Sequence, residues 1–224
     1  YAFEELLRIP VEVDVASEFR YRDPILNENT LMIIISQSGE TADTLAALRE
    51  AKRAGCRVLS VVNVVGSTIA TESDDVLYTW AGPEISVAST KAYSTQLAVI
   101  YLLALYIGEQ LGKFTQEQLS AYIAALEKLP EQIDEMLKHK ENIQFFASKY
   151  FNASDMYFIG RNVDYAASLE ASLKLKEISY IHSEAYAAGE LKHGPISLIE
   201  DGTLVIALAT DARLFDKMMS NIKE

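Results

Sequence analysis

The stretch LMIIISQSGETADTLAALREA, residues 31–51, joins an apolar run to a helical pattern through a loop of small polar residues. The run Leu31–Ser36 is rich in branched apolar side chains and predicts a buried strand, while the apolar spacing over 41–54 predicts a helix. Gly55 stands just past that helix, where glycine commonly ends one. A strand, a short loop and a helix in this order are typical of an α/β fold.

The alternation of strand and helix patterns continues along the chain. Further strands are predicted at 57–63, 75–80, 156–160 and 203–209. Helices are predicted after Gly66-Ser67, at 89–111, at 165–180 and from 218 onward, and 115–150 is predicted to be helical with a break at Pro130. This alternation indicates parallel sheets flanked by helices on both faces, a three-layer α/β fold of the flavodoxin-like or Rossmann-like kind.

Composition restricts the class of protein. The chain has 224 residues, half of them hydrophobic, which suffices for one large domain or two small ones. Its formal net charge is −12, and since nucleic acid demands a basic face, no nucleic-acid partner is expected. The single cysteine, Cys56, excludes an internal disulfide and fits a reducing compartment.

The sequence gives no sign of a membrane segment. The most apolar helical run, Leu97–Ile107, is shorter than the roughly 20 residues that span a bilayer, and we predict that it is a core helix. The opening residues, YAFEELLRIP, carry acids where a signal peptide has bases. We therefore expect a cytoplasmic protein without a membrane partner.

An internal repeat divides the chain. ASEFRY at 16–21 aligns with AGELKH at 188–193, and each is followed by Pro-Ile and then by an apolar strand. The repeat predicts two homologous modules, 1–111 and 151–224, joined by a helical linker at 112–150. Both modules stop inside the repeated unit: the first lacks its first strand and the second is truncated at its C-terminus. We therefore expect a fragment of a longer protein.

The loop after Leu31–Ser36 has the chemistry of a phosphate site. Backbone N–H groups at a helix N-terminus attract anions, and the hydroxyls of Ser36, Ser38 and Thr41 can donate to phosphate oxygens, as can the Gln37 amide. The loop has neither the lysine of nucleotide hydrolases nor the G-x-G-x-x-G of dinucleotide sites, which favours a small phosphorylated metabolite. The alternative is an ordinary helix cap. The aligned loop of the second module, ATDARLF, lacks the serines and the glycine.

A second group of polar residues lies on the helix predicted near 164–180. Leu169, Leu173 and Tyr180 are predicted to form its apolar stripe, with Glu177 at the edge of that stripe. Lys174 and Glu170 border the same side. A carboxylate beside a lysine is a candidate acid/base group, and the alternative is a set of surface salt bridges at i,i+3 and i,i+4 spacing.

His193 precedes Gly-Pro, so we predict that it lies in an irregular segment. A histidine moves protons near neutral pH and could open or close a sugar ring. The alternative is a loop histidine whose hydrogen bonds are satisfied. No cluster of cysteine, histidine and aspartate has the spacing of metal ligands, so we expect no metal.

Several segments resemble a known family. SEFRYR, SQSGETADT, VASTKAYSTQL and LKLKEISYIHSEAYAAGELKHGP are similar to the sugar-isomerase (SIS) domains of the glutamine–fructose-6-phosphate aminotransferases, across nearly the whole chain. SQSGET alone indicates only the broad SIS superfamily, whereas the last segment is much more specific. The resemblance implies synthesis of glucosamine 6-phosphate from fructose 6-phosphate and glutamine, with no metal or redox cofactor.

The resemblance also implies roles for individual residues. It assigns the sugar phosphate to Ser36, Gln37, Ser38 and Thr41, and the lining of the sugar site to Val87 and Ser89. It makes Glu177 the base that moves a proton between C1 and C2, supported by Lys174 and Glu170. His193 resembles a ring-opening histidine that comes from the neighbouring subunit, which implies a homodimer.

Three parts of the family pattern are missing from this sequence: the glutaminase domain that would use glutamine, the first strand of the first module, and a C-terminal tail with a Schiff-base lysine. We therefore expect these residues to bind fructose 6-phosphate but to catalyse little. Two other readings stay open. One is another SIS sugar-phosphate isomerase or deaminase, and the other is a non-enzymatic SIS sensor of a sugar phosphate.

Overall fold

A computed structural model describes all 224 residues, Tyr1–Glu224. The chain forms two compact units. One contains Ala2–Leu126, and the other contains Glu127–Glu224 together with Tyr1. The predicted module and linker boundaries, 1–111, 112–150 and 151–224, remain predictions.

The first unit is built on a sheet of parallel strands. These are β1 (Leu31–Ser36), β2 (Arg57–Val62) and β3 (Asp75–Tyr78), in the order β1-β2-β3. Leu31 lies opposite Arg57 and Ser36 lies opposite Val62. Because the strands are parallel, the loops that follow β1 and β2 leave the same edge of the sheet.

Five helices accompany this sheet in the first unit. They are α1 (Ala2–Leu7), α2 (Ala16–Phe19), α3 (Ala42–Arg53), α4 (Thr68–Glu72) and α5 (Lys91–Gln110). The core joins Ile34, Leu48, Val58, Val62 and Ile69, with Cys56 buried among them. The branched residues on one face of the sheet are thus covered by α3 and α4, whereas Leu31 and Ile35 on the other face of β1 are exposed. The prediction of a buried strand at 31–36 therefore holds for one face only.

The second unit contains another parallel sheet, made of β4 (Asp155–Gly160), β5 (His182–Ala187) and β6 (Leu204–Ala207) in the order β5-β4-β6. Its helices are α7 (Lys140–Tyr150), α8 (Val163–Ser179) and α9 (Phe215–Lys223), with a short 3-10 helix at Pro195–Leu198. Helix α6 (Gln116–Leu137) begins in the first unit and ends in the second. β4 is the central strand, and its residues 156–160 are all buried.

The fold class predicted from the sequence is confirmed: both units are α/β, with parallel strands and flanking helices. The predicted strands and long helices also match the observed ones to within a few residues. Residues 182–187, for which the sequence pattern predicts no element, form strand β5. Its sequence, HSEAYA, is too polar to predict a strand, and it becomes one because β4 supplies a parallel partner along its whole length.

Two predictions about helices need correction. Pro130 does not break the helical stretch, because it lies inside α6, and the interruption falls at 138–139 instead. The neighbouring residues are exposed, so water can satisfy the carbonyl that a proline leaves unbonded. The run Leu97–Ile107 is only partly a core helix: Leu103, Ala104 and Leu105 are buried, whereas Leu102 and Tyr106 are exposed.

The internal repeat has a counterpart in the packing. Phe19 and Leu191, which the repeat aligns, are both buried. The aligned strands β1 and β6 each pair in parallel with a neighbour. None of the helices has the length and apolar character needed to cross a lipid bilayer.

Candidate functional site

The loop 36–41, called the phosphate loop after the ligand predicted for it, connects the carboxyl end of β1 to the N-terminus of α3. Ser36 is the last residue of β1 and is buried, and Thr41 occupies the N-cap position of α3. Gly39 has a φ of +69°, a conformation that residues with a Cβ rarely adopt. The turn therefore directs the first N–H groups of a 12-residue helix towards the residues of the loop.

The serine hydroxyls of the phosphate loop accept hydrogen bonds from its own backbone. Gly39 N donates to Ser36 Oγ at 3.1 Å, and Glu40 N donates to Ser38 Oγ at 3.3 Å. An oxygen that accepts in this way keeps its own O–H group to donate. The Thr41 side chain makes no cap hydrogen bond and is exposed. The structure thus brings Ser36, Gln37, Ser38 and Thr41 together as a cluster of donors.

Val87 and Ser89 lie in the segment between β3 and α5, in the same unit as the phosphate loop. Ser89 Oγ donates to Glu84 Oε2 at 3.3 Å, and Ala92 N donates to the same oxygen at 3.1 Å. Glu84 therefore ties Ser89 to the first turn of α5. Val87 is 96% exposed, so a ligand could contact it without any rearrangement of the core.

Helix α8 does not bury the stripe that its sequence predicts. Leu169, Leu173 and Tyr180 are exposed. The buried face of α8 is formed by Asp164, Ser168 and Ser172.

Small polar side chains explain this orientation of α8, because they let the helix approach the sheet closely. The hydroxyls of Ser172 and Ser183 on β5 lie 2.9 Å apart, and Ser183 Oγ also donates to the Ser172 carbonyl. Apolar periodicity fails here because the serines satisfy their hydrogen bonds inside the unit and so can be buried.

Glu170, Lys174 and Glu177 form a cluster on α8. Lys174 Nζ lies 2.5 Å from Glu177 Oε2 and 3.5 Å from Glu170 Oε1. The Lys174 side chain is 22% exposed and the Glu177 side chain is 29% exposed, so the pair is partly withdrawn from water. The hydrogen bond to Glu177 is the main cause that raises the pKa of Lys174. The i,i+3 and i,i+4 ion pairs of the alternative reading are present, and they also fix the position of the candidate base.

His193 lies in a turn of the second unit and is exposed. The backbone N–H group of His193 donates to the Glu190 carbonyl at 3.0 Å. Gly194 follows with a φ of 132°. The prediction of an irregular segment is confirmed.

Glu40 lies inside the SQSGET motif but is not among the residues predicted from the sequence to be functional. Glu40 Oε1 and Oε2 accept hydrogen bonds from the backbone N and the Oγ1 of Thr68, both at 2.7 Å. These bonds lower the pKa of the Glu40 carboxyl. A carboxylate next to a predicted anion site was the available signal, because such a charge has to be held by a partner.

Comparison with known proteins places these features in a family. The SIS domain model matches residues 1–106 and 149–223, which include the phosphate loop and helix α8. This chain belongs to the SIS domain family. The phosphate loop and the α8 cluster each fall within a matched SIS segment.

The SIS chain is also similar to curated proteins. It is 62% identical over 224 residues to glutamine–fructose-6-phosphate aminotransferase [isomerizing] of Clostridium tetani. It is 50% identical over 224 residues to the protein of the same name from Methanosarcina acetivorans. All of this chain is covered in both matches, but it spans only 37% and 36% of the two relatives.

Solved structures of other proteins also resemble this chain. The C-terminal domain of glucosamine-fructose-6-phosphate aminotransferase from Francisella tularensis is 38% identical with a TM-score of 0.96, over 99% of this chain and 62% of that one. Glucosamine-6-phosphate deaminase from Thermotoga maritima is 27% identical with a TM-score of 0.75, over 98% of this chain and 67% of that one. The SIS fold therefore extends over both units.

Proposed function

We propose that this chain is the sugar-phosphate-binding, isomerising part of a glucosamine-6-phosphate synthase. The observation that carries the proposal is the phosphate loop, in which hydroxyl donors cluster at the N-terminus of a long helix. The 62% identity to a glutamine–fructose-6-phosphate aminotransferase supports fructose 6-phosphate as the ligand and glucosamine 6-phosphate as the product. Glutamine would then be the nitrogen donor of the whole protein.

The phosphate loop would bind the phosphate of the sugar. Ser36, Ser38 and Thr41 would donate their O–H groups, and the Gln37 amide would add a further donor. The dipole of α3 favours an anion at this point even though the net charge of the chain is −12. Binding energy from this remote group would hold the sugar carbons in a fixed position. Val87 and Ser89 would line the sugar.

The α8 cluster would carry out proton transfer. Glu177 would take a proton from C1 of the sugar and deliver it to C2, which converts a ketose or its imine to the aldose form. Lys174 and Glu170 would hold the Glu177 carboxylate in place. His193 would open the sugar ring. It would do so in the site of a neighbouring subunit, which makes the working protein a homodimer. The proposed location is the cytoplasm.

Phosphorus NMR tests the binding proposal directly. Fructose 6-phosphate is titrated into the chain, and fructose, which carries no phosphorus, is then added as a competitor whose affinity is read from the displacement of fructose 6-phosphate. We expect the phosphorus signal to shift and broaden, and fructose to bind at least about tenfold more weakly, because the loop recognises the phosphate. Equal binding of the two ligands would contradict the proposed role of the loop.

Proton NMR in deuterated buffer tests the role of Glu177. We expect slow loss of a C1 hydrogen from fructose 6-phosphate, reduced at least about tenfold in Glu177→Gln. Glu135→Gln is the matched control, because Glu135 also lies three residues from a lysine on a helix, with Lys138 Nζ at 2.5 Å.

Binding, hydrogen exchange and the products formed from the two sugar phosphates together separate the competing functions. Phosphate-dependent binding without any exchange would overturn the proton-transfer role and favour a sensor. Release of ammonia from glucosamine 6-phosphate would favour a deaminase. Rapid conversion of fructose 6-phosphate to glucose 6-phosphate would favour a simple isomerase and would contradict the expectation that these residues catalyse little.

A further inference from the structure

We propose that Glu40 is a positioning residue that fastens the phosphate loop to the segment after β2. The inference rests on the proposed function, since it concerns how that loop is held for its ligand. The two oxygens of Glu40 accept the backbone N–H and the hydroxyl proton of a single residue, Thr68, at 2.7 Å each. Thr68 is the first residue of α4, and α4 follows the strand next to β1.

Backbone hydrogen bonds extend the same attachment. Ile69 N donates to the Gly39 carbonyl at 3.0 Å, and Asn63 N donates to the Gln37 carbonyl at 3.2 Å. The loop is thus bonded to the segment 63–69 through residues 37, 39 and 40. The side chains of Ser36, Ser38 and Thr41 take no part in the attachment.

This arrangement separates two tasks. The atoms that contact the segment 63–69 set the path of the loop, and the hydroxyls proposed to bind phosphate are left to donate. A carboxylate suits the first task because both of its oxygens accept, whereas a glutamine side chain has one acceptor oxygen and an NH2 group that cannot accept.

Charge makes the attachment necessary. A Glu40 carboxylate that turned towards the serine hydroxyls of the loop would repel a bound phosphate. Its two hydrogen bonds to Thr68 direct the carboxylate towards the segment after β2 instead. Glu40 therefore acts through the path of the loop and not by touching the ligand.

The second unit has a similar link. Asp164, near the start of α8, accepts from Thr210 N at 2.8 Å and from Thr210 Oγ1 at 2.5 Å, and Thr210 follows the neighbouring strand β6. A carboxylate at the start of one helix thus bonds both donors of a threonine after the adjacent strand in each unit. Only in the first unit does this link support a loop with clustered serines.

The test measures the affinity of the chain for fructose 6-phosphate and for inorganic phosphate by phosphorus NMR. The variants are Glu40→Gln, Thr68→Val, their combination, and the conservative Thr68→Ser. Asp74→Asn is the matched control: Asp74 also accepts from a backbone N–H, that of Val58, and from a side chain, Lys52 Nζ, both at 2.8 Å. Val58 lies near the start of β2, whereas the phosphate loop lies at the opposite, carboxyl ends of the strands.

We expect Glu40→Gln to weaken both ligands by about tenfold, because losing the link to Thr68 outweighs the removal of a negative charge from the loop, while Thr68→Ser and Asp74→Asn stay within about twofold of the parent chain. The double variant should be no weaker than Glu40→Gln alone, since both substitutions break the same link. The midpoint of thermal unfolding should fall by similar amounts in Glu40→Gln and Asp74→Asn, which separates positioning from general stability.

Retained affinity in Glu40→Gln would overturn the inference, as would an equal loss of affinity in Asp74→Asn. A loss in Thr68→Ser as large as in Thr68→Val would also overturn it, because serine keeps both donors. A parent chain that binds neither ligand would overturn the proposed function itself, and this result would be visible before any substitution is compared.

Discussion

Gly39 packs against Ser67 so closely that residue 39 has no room for a side chain. A Cβ placed on Gly39 would lie 2.1 Å from Ser67 Oγ and 2.6 Å from Ser67 Cβ. Ser67 is buried, with 3% of its surface exposed, and its hydroxyl has no hydrogen-bond partner in the chain. The glycine of SQSGET therefore serves two purposes: it permits a positive φ and it allows the segment after β2 to approach.

We predict that Gly39→Ala lowers the free energy of unfolding by about 2 kcal/mol or more, from backbone strain and overlap with Ser67. Urea unfolding measures the loss. Gly66→Ala is the control, because Gly66 has a φ of +75° but open space around it, so only about 1 kcal/mol should be lost. Adding Ser67→Gly to Gly39→Ala should recover part of the loss. Equal losses in the two alanine variants would contradict the packing argument.

Removal of single hydroxyls should separate the two serines of the phosphate loop. Ser38→Ala is expected to weaken fructose 6-phosphate by about tenfold, because a donor to a charged phosphate is lost. Ser36→Ala should do the same and also lower the free energy of unfolding by about 1 kcal/mol, since Gly39 N then loses its buried acceptor. Calorimetric titration and urea unfolding give the two values.

The control for the serine variants is Ser94→Ala. The Ser94 hydroxyl donates to the Thr90 carbonyl within helix α5 and has no role in the phosphate loop. Affinity in Ser94→Ala should equal that of the parent chain. If Ser38→Ala also left the affinity unchanged, the loop would be a helix cap and not a phosphate site.

The ion pair of Lys174 with Glu177 predicts a dependence of stability on alkaline pH. The pKa of Lys174 is raised in the folded chain, first by its hydrogen bond to Glu177. A raised lysine pKa stabilises the fold below the unfolded value of about 10.4, and that contribution disappears as the pH rises through the folded pKa. The free-energy difference between the parent chain and Lys174→Met, at most about 1 kcal/mol at neutral pH, should therefore shrink above that range.

Lys138→Met provides the comparison for this pH series. Lys138 forms an i,i+3 pair with Glu135, but both side chains are more than half exposed. Its contribution should be smaller at every pH, because water screens an exposed pair. A pH-independent difference for Lys174→Met would show that lost packing and not the charge pair determines its effect.

Pro130 predicts a gain of stability on substitution. It lies inside α6, far from the first turn, and lacks the N–H group that would bond to the carbonyl of Leu126. Pro130→Ala should raise the helical circular dichroism signal and stabilise the chain by about 1–3 kcal/mol. Glu131→Ala, one residue further along the helix, should change both far less. A loss of stability in Pro130→Ala would mean that α6 needs the proline for its packing.

The sequence predicted most of the fold, because buried parallel strands leave a strong local pattern. The strand at Leu31–Ser36, the helix after it and Gly55 at its end all appear where predicted, although Leu31 and Ile35 of the strand are exposed and not buried. The predicted donors of the phosphate loop share one turn for the same reason: they are neighbours in the chain. Local chemistry was sufficient there.

Other features depended on contacts between distant residues. Strand β5 exists because β4 pairs with it, and nothing in HSEAYA alone predicts a strand. The buried face of α8 carries Ser168 and Ser172 in place of the predicted leucines, because their hydroxyls find partners inside the unit. The apolar periodicity of a helix cannot register hydrogen bonds that form only after packing.

By itself, the sequence determined the α/β class, the position of the phosphate loop and the set of candidate residues in it. Only the tertiary structure decided how that loop is held. Glu40 and Thr68 are separated by 28 residues along the chain. They become neighbours because the parallel strands β1 and β2 pair and bring the loops that follow them to the same edge of the sheet. Strand pairing creates such neighbours, and no spacing along the chain records them.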